Sequence, residues 1–265
     1  MPPPPTPPPV ALAHRDFGGE GGPPRVILHG MLGSSRNWMT AGRDLAARRR
    51  VFALDLRNHG LSPHAPGMSY EAMAGDVAAW LDSRGIPSAE LIGHSMGGKV
   101  AMLLACRHPE RVARLVVVDI APRDYHWPGR KAEFEAMRGL DLAALGSLAQ
   151  AEARIRPQVP DEATRKFLLT NLVRLPEGGW RWQVNLAALA AALPALERNP
   201  LLPGDRFGGP ALFIAGANSR YVVPADHDAI LRAFPAARIE VLAGCGHNPH
   251  VEARAAFVGA VESAP

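Results

Sequence analysis

Six short apolar runs set the tightest limit on what this chain can fold into. "RVILHG" (25–30), "VFALDLR" (51–57), "AELIGHS" (89–95), "ARLVVVDI" (113–120), "PALFIAG" (210–216) and "RIEVLAG" (238–244) are dense in apolar residues and do not strictly alternate with polar ones. Alternation marks a strand with one wet face. Its absence marks strands covered on both faces, as in a parallel sheet. Helical stretches separate the runs. Over 69–85, Met73, Val77, Trp80 and Leu81 share one face, and Gly85 with Pro87 stops the helix. A second helix is expected over 96–108, closed by "HPER". Strand–helix alternation predicts an α/β fold with a mostly parallel, doubly wound sheet and a functional site at the carboxyl ends of its strands.

The rhythm breaks between 122 and 205. This segment is rich in Ala, Leu and Arg, its periodicity is helical, and no strand signal stands out. The predicted organisation is a disordered proline-rich tail (1–9), a first core part (10–121), a helical lid over the strand ends (122–205) and a second core part (206–265). A helical domain that binds a partner is the competing reading of the insertion. Trp127, Trp180 and Trp182 lie in it and either line a pocket or form the lid's own core.

Composition removes several classes. The net charge is +4, and its one dense cluster, Arg48 to Arg50, suits the solvated end of a helix. A nucleic-acid partner would need a longer basic stripe with aromatics between. No apolar run approaches the roughly 20 residues of a membrane span. The start of the chain has no basic stretch followed by an apolar core, so it does not read as a secretory signal. Cys106 and Cys245, the two cysteines, make neither a disulfide framework nor a zinc site. Both are expected reduced in a cytoplasmic protein, and no metal site can be assembled from them. Oligomeric state is left open.

"LIGHSMGG" (91–98) is the most informative stretch, because it contains G-x-S-x-G between an apolar strand and a helical run. A serine on a sharp strand-to-helix turn has its oxygen exposed over a helix N-terminus, in a strained backbone conformation. Glycines two before and two after let neighbouring backbone pass close. Gly93 to Lys99 also nearly spells a phosphate-binding loop, but Val100 stands where Ser or Thr must hold magnesium. "LHGMLGSSRNW" (28–38) follows the first strong strand. His-Gly there lets the chain turn so that the Met31 amide joins that of Met96 as a pair of oxyanion donors. A tight glycine turn without a role is the plainer alternative.

Ten histidines compete for the role of base. His29 and His94 sit inside the two motifs and read as structural orienters. His247, in "AGCGHNPH", lies just past the last strand and late in the chain, where a base for Ser95 is expected. His250 is the runner-up. A His247–His250 metal pair lacks a third ligand.

Taken together, "LHGMLGSSRNW", "DLRNHGLSPH", "MSYEAMAGDVAAWL", "GHSMGGKVAM", "VVVDIAP", "LLTNLVR" and "GGWRWQVNL" closely resemble the α/β-hydrolase superfamily, in particular the YbfF-type esterases and related mitochondrial abhydrolase-domain proteins. The resemblance implies an eight-stranded core, a helical lid, no cofactor, Ser95 as nucleophile, His247 as base, and Met31 and Met96 as oxyanion donors. It also implies small esters and acyl thioesters as substrates. One departure is "NPH" after His247, where relatives usually carry an aromatic residue.

The loop after residue 216, where such hydrolases commonly place the acid, offers only Asn218, Ser219 and Arg220. Asp226 and Asp228 come too late and Asp205 precedes its strand. Asp119 ends "RLVVVD", the strand after the nucleophile strand, and that strand end is a second place for the acid in the superfamily. The plainer reading is that Asp119 caps the first turn of the lid. The expected function is therefore a serine hydrolase cleaving carboxylic esters or acyl thioesters through an acyl-enzyme. Lyase or C–C hydrolysis, perhydrolase chemistry, and a ligand receptor with a vestigial triad stay open as alternatives.

Overall fold

The computed structural model describes residues 7–263. Seven strands form the main sheet: β1 (His14–Asp16), β2 (Arg25–Leu28), β3 (Val51–Leu54), β4 (Ala89–His94), β5 (Val112–Val118), β8 (Ala211–Gly216) and β9 (Ala237–Leu242). Their order is β1-β3-β2-β4-β5-β8-β9. β1 runs antiparallel to β3, and every other pairing is parallel. The mostly parallel doubly wound sheet expected from the apolar runs is thus present. It has seven strands among the described residues rather than eight. β2, β3, β4 and β8 are buried throughout, as non-alternating runs require.

Helices cover both faces. α1 (Met39–Leu45) and α10 (Arg254–Ser263) touch each other, and α10 also packs on β8 and β9. α2 (Tyr70–Ser83) and α3 (Met96–Arg107) pack together, with α3 also against β4 and β5. Ser69 caps α2, accepting from the Ala72 amide at 3.2 Å, and Met73, Val77, Trp80 and Leu81 are buried as their spacing predicts. α8 (His227–Ala233) and the short α9 (Pro249–Glu252) complete the core.

Between β5 and β8 lie α4 (Pro128–Arg138), α5 (Leu148–Ile155), α6 (Glu162–Leu169), β6 (Leu172–Arg174), β7 (Trp180–Trp182) and α7 (Leu186–Leu196). The two strands form an antiparallel hairpin in a segment that reads as all-helical in sequence. Three-residue strands are too short to show a period. The turn that joins them is "PEGG", whose Gly178 (φ 96°) and Gly179 (φ 85°) take the left-handed conformation. Trp180 Nε1 donates to Leu145 O at 2.9 Å and Trp182 Nε1 to Met137 O at 3.0 Å. These two tryptophans fasten the hairpin to the segments around α4 and α5, which favours the packing reading over the pocket reading.

Most of the proline-rich tail, residues 1–6, lies outside the described residues. Residues 7–9 have no regular structure, yet they are held against the core. Pro8 O accepts from Arg57 at 3.4 Å, and next to it the Val10 amide donates to Asp76 Oδ1 at 2.8 Å. Arg57 and Asp76 are themselves a buried ion pair, 2.5 Å apart.

Candidate active site

Four non-glycine residues among those described have positive φ: Leu32 (61°), Asn58 (66°), Ser95 (51°) and Asp119 (53°). Each lies just past the carboxyl end of one of four neighbouring parallel strands, β2, β3, β4 and β5. Such conformations cost of order 1–3 kcal/mol each and persist only where the surroundings enforce them. The strain collects where a doubly wound sheet is expected to carry its site.

Ser95 (φ 51°, ψ −116°) joins β4 directly to α3. The glycines around it are required by sterics. A Cβ on Gly93 would strike the Gly97 carbonyl oxygen and sit 2.7 Å from Gly98 Cα. A Cβ on Gly97 would strike the carbonyl oxygens of Leu28 and His29 at the end of β2. Gly30 faces the serine itself: a Cβ there would lie 2.8 Å from His94 Nδ1 and 3.3 Å from Ser95 Cβ. The two glycine-bearing motifs therefore pack on each other.

Among the described residues the amides of Met31 and Met96 have no acceptor. Met96 opens α3, so its N–H belongs to the free end of a helix. The next amide along, Leu32, is already used, donating to His59 Nε2 at 3.2 Å.

His247 Nδ1 lies 2.7 Å from Asp119 Oδ2. A carboxylate can only accept, so Nδ1 carries the proton and Nε2 is left as the acceptor. Asp119 is fully buried, and three donors hold it. Besides His247, Ser219 Oγ donates to Oδ2 at 2.5 Å and the Gly216 amide to Oδ1 at 3.1 Å. The carboxylate reaches across the sheet to the histidine rather than capping the insertion. The loop that lacks a carboxylate instead contributes a hydroxyl to one placed on the neighbouring strand. The other candidates are engaged elsewhere. Asp205 pairs with Arg107 at 3.0 Å and Asp226 with Arg123 at 2.8 Å, while Asn218 is exposed, only its backbone N–H being used, donating to Cys245 O.

Three further buried histidines, His29, His94 and His250, pack around this centre. His94 Nε2 donates to the backbone oxygen of His247 at 2.8 Å, tying the last loop to the serine turn. Burial, then the neighbouring His247 and His250, push its pKa well below the usual range. His29 Nε2 accepts from the Leu56 amide at 3.0 Å, and burial lowers it as well. Among the described histidines His247 alone contacts the acid, and His250 does not. It is buried, stacked on Trp38 with ring centroids 4.0 Å apart, and pushed by burial down to about 3. The "NPH" departure therefore places an imidazole in an aromatic stack beneath the site.

Two neighbours of His247 escape a reading of sequence, Ser219 and Tyr221. Tyr221 lays its ring on the imidazole with centroids 3.7 Å apart. A cavity of about 390 Å³ opens beside Tyr221, bordered by Arg123, Tyr125, Trp127 and Arg130. A larger one, about 530 Å³, between the 199–206 return and α8 touches none of the site residues. Among the described residues no cluster of three or more His, Cys, Asp or Glu is placed to hold a metal, and no helix is long and apolar enough to cross a membrane.

The chain is similar to known proteins over most of its length. The family model described as the alpha/beta hydrolase fold matches residues 23–253. The chain is 39% identical over 264 residues to the sn-1-specific diacylglycerol lipase ABHD11 of Mus musculus, covering 96% of this chain and 85% of that one. It is 39% identical over 238 residues to the esterase YbfF of Escherichia coli K12, covering 90% and 91% respectively. A solved marine microorganism esterase superposes with a TM-score of 0.92 at 33% identity, over 97% of this chain and all of its own.

Proposed function

The chain belongs to the α/β-hydrolase family and is a hydrolase of that fold, and from this premise we propose that it cleaves carboxylic esters, and thioesters of the same acyl groups, through an acyl-enzyme on Ser95. The observation that carries the proposal is the 2.7 Å contact of His247 Nδ1 with the buried Asp119, beside a serine held at positive φ. With Nδ1 protonated, His247 Nε2 takes the Ser95 proton as the serine oxygen attacks the acyl carbon. The carbonyl electrons move onto oxygen, where the free amides of Met31 and Met96 receive them. One such donor is worth about 3–4 kcal/mol in comparable sites. The imidazolium returns its proton to the leaving oxygen or sulfur, and water activated by the same histidine releases the acid.

Two unpaired N–H groups beside a strained serine favour catalysis over a receptor with a vestigial site, because a buried amide needs an acceptor. In this reading 122–205 is the lid, and the cavity beside Tyr221 receives one end of the substrate. The ester class comes from the relatives, which are named as an esterase and a diacylglycerol lipase.

The test is Asp119→Asn. An amide keeps the volume but imposes the wrong imidazole tautomer and removes the charge, a change that costs about 10⁴ in kcat in a Ser-His-Asp triad. A variant that folds and keeps more than about a tenth of wild-type kcat contradicts Asp119 as the acid.

A further inference from the structure

The edges of the His247 ring are accounted for by Asp119 and, in the proposed reaction, by Ser95. Its face is covered by Tyr221, centroid to centroid 3.7 Å and 18° from parallel. The face of an aromatic ring carries negative potential, so it attracts a cation lying on it more than a neutral ring in the same place. His247 alternates between those two states in every turnover described above.

The stack is built, not incidental. The backbone oxygen of Tyr221 accepts from the Tyr125 hydroxyl at 2.5 Å, and that hydroxyl accepts from the Ala121 amide at 2.8 Å. The Tyr221 amide donates to Ser219 Oγ at 3.1 Å, and Ser219 holds Asp119. One short loop, 219–221, therefore braces the acid with a hydroxyl and the base with a ring. Behind Tyr221, the Tyr125 ring stacks at 5.7 Å.

The surrounding charges are mostly matched. Arg130 and Glu133 from α4 face the Tyr221 hydroxyl and pair with each other at 2.5 Å. Arg123, over the Tyr125 ring, pairs with Asp226 at 2.8 Å. Arg220 is exposed. On the other side His94 approaches the base at 4.7 Å and is kept neutral by burial. The charge that changes during the cycle is the one on His247 itself.

We infer that Tyr221 is a positioning residue for the base: its ring face, stacked on His247, stabilises the imidazolium formed when the Ser95 O–H bond breaks and the Nε2–H bond forms. The inference rests on His247 being the base, and His247→Ala in the same series checks that premise separately. Hydrolysis of p-nitrophenyl acetate from pH 5 to 9 reads the effect.

Tyr221→Phe keeps the ring and should keep kcat within about twofold with the acid limb of kcat/KM in place. Tyr221→Leu removes the ring. It should lower kcat about 3- to 30-fold and move the acid limb down by about 0.4–1.5 pH units, the span a cation–π contact covers. Pentafluorophenylalanine at position 221 keeps the shape and inverts the ring potential. It should reproduce the Leu shift even if the Leu variant fails to fold.

A raised KM with an unmoved acid limb in the Leu and fluorinated variants would assign Tyr221 to substrate contact and overturn the inference. So would a Phe variant as impaired as Leu. Full turnover by His247→Ala would instead bring down the reading on which the inference rests.

Discussion

Acidification from pH 7 to pH 5 should cost this protein several kcal/mol, and the buried imidazoles say how much. His59 and His250 are completely buried and held down to about 3, His59 by burial and the adjacent His29, His250 by burial and His247. Both are bases whose folded value lies below the unfolded value of 6.5. Between the two values the unfolded chain binds protons that the folded chain refuses, so stability falls as pH drops below about 6.5. From pH 7 to 5 each contributes a loss of about 2 kcal/mol, and the result hardly depends on where below about 4 the folded value lies. The pair therefore removes about 4 kcal/mol, against a typical total of about 5–15. His29 and His94, lowered for the same reason, add to it. The lowered carboxylates Asp16, Asp124 and Asp161 act only below about pH 4. At about 2–4 °C per kcal/mol, thermal unfolding followed by tryptophan fluorescence should show a Tm lower by about 8–16 °C at pH 5. His250→Phe should keep the stack on Trp38 and remove about 2 kcal/mol of this sensitivity. A Tm flat within about 3 °C between pH 7 and 5, or an unchanged slope in the Phe variant, would refute the reasoning.

Other perturbations test other joints of the structure. Lys99 is buried and donates to the carbonyls of Leu196, Glu197 and Arg198 at 3.5, 3.2 and 2.6 Å, at the end of α7. Lys99→Met should take the Lys99 donor from the Arg198 carbonyl, while the Leu196 and Glu197 oxygens keep the Tyr70 hydroxyl and the Tyr125 amide; amide exchange over 186–199 should speed up, and unchanged exchange would argue against a latch there. Ser219→Ala deletes one donor to Asp119 and should lower kcat about 10-fold or more, as befits a hydrogen bond to a charged group worth about 1.5–3 kcal/mol; wild-type kcat would show that the hydroxyl is idle. Trp182→Ala should lower Tm without changing the ratio of kcat/KM between short and long acyl esters, whereas a changed ratio would return Trp182 to the pocket lining.

The parts of this molecule that could be read from sequence are those whose reasons are local. The G-x-S-x-G turn announces itself because Gly93 and Gly97 answer to backbone only a few residues away or one strand across. Asp119 is the candidate acid that elimination leaves, since the 218–220 loop holds no carboxylate and the end of β5 does, and its contact with His247 is what the structure adds. His247 stood out by its place after the last strand. Ser219 and Tyr221 gave no signal, because their meaning lies in contacts with Asp119, 100 residues back, and with His247, across the site. The hairpin in the insertion and the three-residue β1 were lost for another reason. Strands that short take their conformation from pairing partners and leave no periodic trace. His250 shows the limit from the other side. Its sequence neighbourhood resembles that of a base, and its stack on Trp38 is visible only in three dimensions.

The central claim is a covalent acyl-enzyme on Ser95, and intact-protein mass spectrometry tests it most directly. Incubation with a fluorophosphonate should add one phosphonyl group, and peptide mapping should place it on Ser95. His247→Ala should slow the labelling by orders of magnitude, since the serine then has no base. Ser95→Ala should neither label nor hydrolyse p-nitrophenyl esters while unfolding at nearly the wild-type temperature. Label on another residue, or substantial ester turnover by a folded Ser95→Ala variant, would contradict the account.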